Sequence, residues 1–244
     1  MAELMEVVLN DGHLENDDQG FLGKETEGGN NKKTVALIKK YLEEYDVIVR
    51  VVSQDDGTPF EKLGYKYPNA TLFYSHHTNS GGGRGTEVFY HYGRTLAQNI
   101  AQRTAKILNT VVREQVKGDK GAKKNSNQFG GAGYAVINQA RKAGVKYQLM
   151  GEIGFHDNEK EVKLIVSERD KIAFAIADEI AKYLKLEKKV DKNKPKEDEL
   201  DVAQNWAVDN GIMRDMMWDE PITRHQMAWW LFDLEKKRRL GQLK

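Results

Sequence analysis

The sequence predicts an α/β fold, with a mixed, largely parallel twisted sheet flanked by helices and a small C-terminal helical module after it. Three observations carry this expectation. Short β-branched apolar runs alternate with segments whose apolar residues recur at helical spacing. The alternation stops near Leu186, where a charged stretch without aromatics begins. All four tryptophans (Trp206, Trp218, Trp229 and Trp230) lie beyond that stretch.

Residues 4–10 form a short apolar strand ending in Asp11-Gly12. Residues 31–45 read as a helix, with Val35, Leu37, Ile38, Tyr41 and Leu42 on one stripe. Residues 45–53 (YDVIVRVVS) are β-branched and closed by the turn Asp55-Asp56-Gly57, so they read as a strand. Residues 71–76 and 86–92 are the next two strands. Residues 95–116 return to helical spacing through Leu96, Ile100, Ile107, Leu108 and Val111. Residues 117–133 are polar, basic and glycine-rich, the composition of a solvated surface loop. A short helix at 135–143, a strand at 146–155 and a long amphipathic helix at 168–186 complete a first domain, residues 1–186. Residues 187–200 are a charged linker carrying Pro195. Residues 201–244 form a module near the lower size limit for independent folding, so docking or self-association through it is expected.

A formal charge of +1 supplies no chain-wide attraction to nucleic acid. No apolar run approaches the ~20 residues needed to span a membrane. The absence of cysteine excludes disulfides and thiolate metal sites, so any metal is held by His, Asp and Glu. The opening MAELMEVVLNDGH lacks the basic region, long apolar stretch and cleavage site of a signal peptide. The expectation is a protein made in the cytoplasm that does not use the general secretory route.

Ligands of open α/β sheets gather beyond the carboxyl ends of the strands. His13 follows the first strand in LNDGH, and His76 and His77 end the third in FYSHHTNS. Glu152 lies within the last strand in LMGEIGFHDN, and Glu25 or Glu27 precedes the first helix in GKETEGGNN. Adjacent side chains on a strand point opposite ways, so only one of His76 and His77 faces any given site. Two imidazoles and a carboxylate are a natural ligand set for Zn²⁺, with one position left for a water whose pKa falls toward ~7. A further carboxylate could take that water's proton and pass it to a leaving amine. Glu152, amid LMGEIGF, is costly to bury without a partner or a task. The loop at 80–85 lacks the spacing and following helix of a nucleotide-phosphate loop and reads as a tight turn beside the site.

These segments resemble the zinc-dependent N-acetylmuramoyl-L-alanine amidases of the autolysin and phage endolysin type. LNDGH is similar to their opening strand and histidine, and SHHTNS to their Ser-x-His-x-Asn-small motif. GTEVFY resembles their Gly-x-Glu-aromatic strand, and GEIGFHDNEKE their Glu-x-Gly-Phe-x-x-Asn signature. The likeness runs in order over residues 4–186; the last two motifs together are specific, the first alone weak. It implies His13 and His77 as zinc ligands, with His76 at an ordinarily apolar position facing away. Glu27, through its spacing to Asn31 and Leu42, is implied as the third ligand, and Glu152 as the catalytic residue. The implied reaction cleaves the amide between the lactyl group of N-acetylmuramic acid and L-alanine. In it, Glu152 takes a proton from zinc-activated water and returns it to the leaving nitrogen. Arg84 is a candidate contact for a stem-peptide carboxylate. His156, where the motif is commonly apolar, is a candidate substrate contact, and Phe155 and Asn158 shape the loop and pocket. A zinc peptidase acting on stem peptides shares this chemistry. A non-catalytic wall-binding protein would keep the scaffold, but intact His13, His77 and Glu152 count against it.

The segment AQNWAVDNGIMRDMMWDEPITRHQMAWWLFDLEKK resembles a single S-layer homology repeat. The resemblance rests on Trp-Ala-x-x-Asn-Gly-Ile from Trp206, Pro-Ile-Thr-Arg ending at Arg224, and Met227-Ala228; His225-Gln226 departs from the usual pattern. It implies binding to secondary cell-wall polysaccharide, with Trp206 and Arg224 as contact candidates, and allows oligomerisation through the repeat. The expected partners are peptidoglycan and wall polysaccharide, with neither nucleic acid nor integral membrane association. The wall would be reached after release through membrane holes or lysis, as by an endolysin or autolysin.

Overall fold

The computed structural model describes residues 4–16, 20–21 and 25–189. The expected C-terminal module, with Trp206 and Arg224, lies outside the described residues, as does most of the expected linker. In chain order the elements are β1 (Glu6–Asn10), the short pair β2 (Gly20–Phe21) and β3 (Glu25–Thr26), α1 (Glu27–Leu42) and β4 (Ile48–Val52). They continue with β5 (Leu72–Asn79), β6 (Thr86–Tyr90), α2 (Arg94–Ile107), β7 (Ala122–Lys124), α3 (Ala135–Lys142), β8 (Tyr147–Phe155), α4 (Glu159–Ser167) and α5 (Arg169–Leu184).

Among the described residues the main sheet has six strands in the order β4-β1-β5-β8-β6-β7. The first four run parallel, β6 is antiparallel to β8, and β7 is parallel to β6. This is the mixed, largely parallel sheet expected from the sequence. Both faces are covered, which is why its strands read as nearly continuous apolar runs. Val7, Leu9, Leu72, Tyr74, Val88 and Leu149 pack on one face with apolar residues of α1, α2 and α5. The alternate residues Val8, Phe73, Phe89 and Met150 pack on the other face with Val136, Ile137 and Ala140 of α3.

Several boundaries differ from expectation. Helix α1 starts at Glu27 rather than 31, capped by Thr26, whose Oγ1 accepts the Gly29 N–H at 3.0 Å. The low helix propensity of Gly28-Gly29 hides that start in the sequence. Helix α2 stops at Ile107 rather than 116. The chain reverses at Asn109 (φ 45°) and returns along β6, where the Thr86 N–H donates to Val111 O at 3.0 Å and the Arg113 N–H donates to Thr86 O at 2.9 Å. The expected loop at 117–133 contains β7, whose sequence AKK carries no apolar alternation. Before the long last helix, α4 forms at 159–167, capped by Asn158 Oδ1, which accepts from the Lys160 and Glu161 N–H groups. Strand β5 runs to Asn79 and so includes both histidines.

Candidate metal centre and active site

The site begins where β1 ends. Gly12 turns the chain at φ +73°, and a Cβ there would lie 2.8 Å from both the His76 carbonyl oxygen and His77 Cε1. Glycine therefore lets the loop carrying His13 press against the end of β5. The same loop lies on the first turn of α1, where a Cβ on Gly28 would stand 1.8 Å from the Leu14 carbonyl oxygen. This backbone contact cannot move aside without displacing His13 from Glu27. Gly28→Ala is expected to destabilise the domain by on the order of 1–3 kcal/mol and to weaken metal binding. A melting curve and zinc titration equal to the parent's would refute the contact.

His13, Glu27 and His77 bring one ligand atom each within 4.8 Å of one another. His13 Nε2 is 3.5 Å from Glu27 Oε2, and His77 Nδ1 is 3.7 Å from Oε1. The two rings meet edge to face, with centroids 5.0 Å apart. Glu27 is 2% exposed, and its Oε1 accepts the Thr78 N–H at 2.9 Å. Burial pushes its pKa up, but hydrogen bonding to His156 and His77 and the positive charge of His77 and His13 outweigh that and hold the carboxyl well below its usual range.

His77 is oriented from behind. Its Nε2 lies 3.0 Å from Ser75 Oγ, Ser75 Oγ donates to Asn10 Oδ1 at 2.6 Å, and Asn10 Nδ2 donates to Val52 O at 2.9 Å. The Asn10 amide is set by the carbonyl it serves, and the one serine proton is committed to Asn10. Ser75 Oγ therefore accepts the Nε2 proton, which fixes Nδ1 as the ring nitrogen facing Glu27: protonated it donates to that carboxylate, and once deprotonated its lone pair is the one a metal would take. Sequence reading assigned no role to Asn10 or Ser75. The available signal was parity, since Ser75 precedes His77 by two positions and shares its face. His76 faces the other way: it is buried with Nδ1 3.3 Å from Tyr74 Oη, and burial lowers its pKa to about 3, so it stays neutral.

Glu152 stands in register opposite His77 on β5 and opposite Glu87 on β6, so the three side chains form a row across adjacent strands. It is 8% exposed, and its Oε2 has no hydrogen-bond partner among the described residues. Burial raises its pKa to about 7; the positive charge of His77 opposes the shift, while Glu27 and Glu87 reinforce it. Glu87 is the contrast. Its Oε1 accepts from Asn79 Nδ2 at 2.8 Å, and its Oε2 takes Arg113 Nε at 3.2 Å together with Lys123 Nζ. One carboxylate of the opposed pair is saturated with donors, and the other has an oxygen left for chemistry.

The remaining candidates are placed differently. His156, expected to touch substrate, is only 5% exposed and lies behind the cluster, Nδ1 3.3 Å from Glu27 Oε2 and 3.1 Å from Thr78 Oγ1. Its ring is turned toward Glu27 rather than toward solvent. Arg84 is exposed and lines a hollow with Leu108, Asp157, Asn158 and Lys160, which none of His13, Glu27, His77 and Glu152 borders. The glycine loop that carries Arg84 is braced by the segment after β8. Asp157 Oδ2 accepts the Gly81 and Gly82 N–H groups at 2.7 Å, Asn158 Nδ2 donates to Gly83 O at 3.0 Å, and Glu161 accepts the Gly85 N–H at 2.8 Å. Asn158 thus shapes the loop, as expected, and Phe155 packs under the guanidinium of Arg113.

Fold and site together describe an α/β hydrolytic domain with a candidate metal centre of two histidines and a carboxylate beside an unpaired buried glutamate. The chain belongs to the N-acetylmuramoyl-L-alanine amidase family, whose model matches residues 7–185. With that membership comes the coarse function, an amidase acting on peptidoglycan. Among solved structures, it is similar to the catalytic domain of CwlV, an N-acetylmuramoyl-L-alanine amidase from Bacillus (Paenibacillus) polymyxa var. colistinus. The two share 24% identity over 75% of this chain and 100% of that one, with a TM-score of 0.58. The putative N-acetylmuramoyl-L-alanine amidase from Neisseria meningitidis matches at 20% identity over 76% of this chain and 98% of that one, with a TM-score of 0.60. The amidase AmiC2 of Nostoc punctiforme matches at 25% identity over 74% and 97%, with a TM-score of 0.51. No curated protein matches the chain.

Proposed function

We propose that this amidase cleaves the bond between the lactyl carbonyl of N-acetylmuramic acid and the nitrogen of L-alanine, using zinc held by His13, Glu27 and His77. The observation that carries the reading is the unpaired buried Oε2 of Glu152, in register with His77 beside that donor set. Two imidazoles and a carboxylate suit Zn²⁺ with one position open, and the Ser75–Asn10 relay presents Nδ1 of His77 to the cluster. Bound there, zinc would polarise the scissile carbonyl and acidify a water toward ~7.

The protein's own part centres on Glu152. Its carboxylate takes a proton from the attacking water as the new C–O bond forms. It returns that proton to the L-alanine nitrogen as the C–N bond breaks, releasing a free amine and a lactyl carboxylic acid. Glu152 then stands deprotonated for the next cycle. Opening this amide detaches stem peptides from the glycan, which supports a wall-lytic role of the endolysin or autolysin kind. The C-terminal residues 201–244 are proposed to bind wall polysaccharide through Trp206 and Arg224, on the strength of their repeat-like sequence.

Digestion of purified walls tests both parts. Free N-terminal alanine should appear on the detached stem peptides while the glycan stays intact, and should disappear with chelator; Trp206→Ala should reduce pelleting with walls while leaving soluble-substrate cleavage unchanged. Other new N-termini would point to a peptidase, and metal-independent release or none would overturn the proposal.

A further inference from the structure

We propose that Arg113 and Lys123, gathered on Glu87, form a carboxylate-recognising edge that seats the peptide half of the substrate. The inference rests on the amidase reading above and adds to it a binding subsite.

The two cations come from chain segments that sequence reading placed at a helix end and in a solvated loop. The 110–113 segment instead lies along β6, tied there through the backbone of Thr86. Lys123 sits on β7 in register with Phe89. Its side chain is 12% exposed, and the ammonium lies 5.8 Å from the centroid of the Phe89 ring. Arg113 is 36% exposed, with its guanidinium 4.7 Å from the centroid of the Phe155 ring and its Nε on Glu87. Glu87 therefore takes only one nitrogen of the fork, and the terminal nitrogens have no carboxylate partner among the described residues.

Two cations share the one carboxylate of Glu87, whose other oxygen is already occupied by Asn79. Neutralising Glu87 needs only Lys123, the more buried of the two. A second, half-exposed cation held in place by an aromatic ring is what recognition of an anion requires, and a guanidinium fork matches a carboxylate in shape.

Position identifies the anion. His77, Glu152 and Glu87 occupy successive strands β5, β8 and β6 in one register row. At ~4.8 Å per strand, Glu87 lies ~10 Å from the metal cluster, with Glu152 between. A carbonyl placed at the metal ligands puts its leaving nitrogen over Glu152 and sends the chain beyond it toward β6. In the proposed substrate the lactyl carboxyl of the muramic acid is consumed in the scissile amide, so any free carboxylate belongs to the peptide. An extended peptide covers ~10 Å in about three residues. The edge therefore takes a carboxylate within the first three residues of the stem.

Two N-acetylmuramoyl tripeptides test this, one with its carboxylates free and one with all of them amidated. For the parent protein, loaded with zinc, amidation should raise KM about tenfold, the fold-change expected for one hydrogen-bonded charge. Arg113→Gln should shrink that ratio to within about twofold by raising KM for the free acid with kcat largely kept, and Arg113→Lys should restore part of it. Lys123→Met, if folded, should act in the same direction. Equal KM values for the two peptides with the parent, or undiminished discrimination in Arg113→Gln, would overturn the edge while leaving the amidase intact. A parent that cleaves neither peptide overturns the amidase reading and the edge with it.

Discussion

Glu152→Gln should lower amide cleavage by about 10²–10⁴-fold, the range for loss of a positioned acid–base group, with zinc affinity close to the parent's. The two effects separate because Glu152 lies outside the group of potential ligands yet stands in register with one of them. Glutamine keeps the size and removes the proton carrier. The same variant has a second signature, read on the metal-free protein in chelator. The folded pKa of Glu152, about 7, lies above the ordinary 4.5, so the folded state holds this proton more tightly than the unfolded one. The side chain's contribution to stability therefore falls as pH rises from about 4.5 to about 7, and the penalty persists above that. Glu152→Gln should melt above the parent near pH 8, and the gap should close near pH 5. Melting curves at the two pH values check the sign. A gap that widens toward acid would mean that Glu152 is paired in the folded protein, contrary to its unpartnered Oε2.

His77→Ala should abolish both zinc binding and hydrolysis, with zinc affinity falling by at least about a hundredfold, more than the 10- to 100-fold typical of lost outer-shell partners. Binding to the folded state alone stabilises by about 2.7 kcal/mol when the free ion is at 100 times its Kd. Added zinc should accordingly raise the melting temperature of the parent and leave that of His77→Ala in place. His76→Phe is the internal control. Its ring packs beside Tyr74 on the opposite face, so this change should spare zinc binding even though it touches the neighbouring residue. If zinc stabilised His77→Ala as much as the parent, His77 would not be a ligand.

The sequence by itself determined the fold class, because strands covered on both faces and helices with one apolar stripe leave local periodic signals. It also singled out His13, His77 and Glu152 as candidates, because they stand in segments short enough to be read as motifs. Glu27 needed the spacing to Asn31 to separate it from Glu25, and the glycines after it concealed that α1 begins on that very residue. Tertiary structure alone decided what each group faces. The Ser75–Asn10 relay behind His77 joins residues 65 positions apart, and the row His77–Glu152–Glu87 depends on how three distant strands pair. Lys123 and Arg113 read as members of a loop and a helix end, yet both close on Glu87 at the sheet edge. His156 read as a substrate contact, yet the structure buries it against Glu27. Local pattern sets which residues belong to a strand and which face they share. Register and loop return are set by packing between segments far apart in the chain, and it is register that places one carboxylate among three donors and leaves its neighbour unpaired.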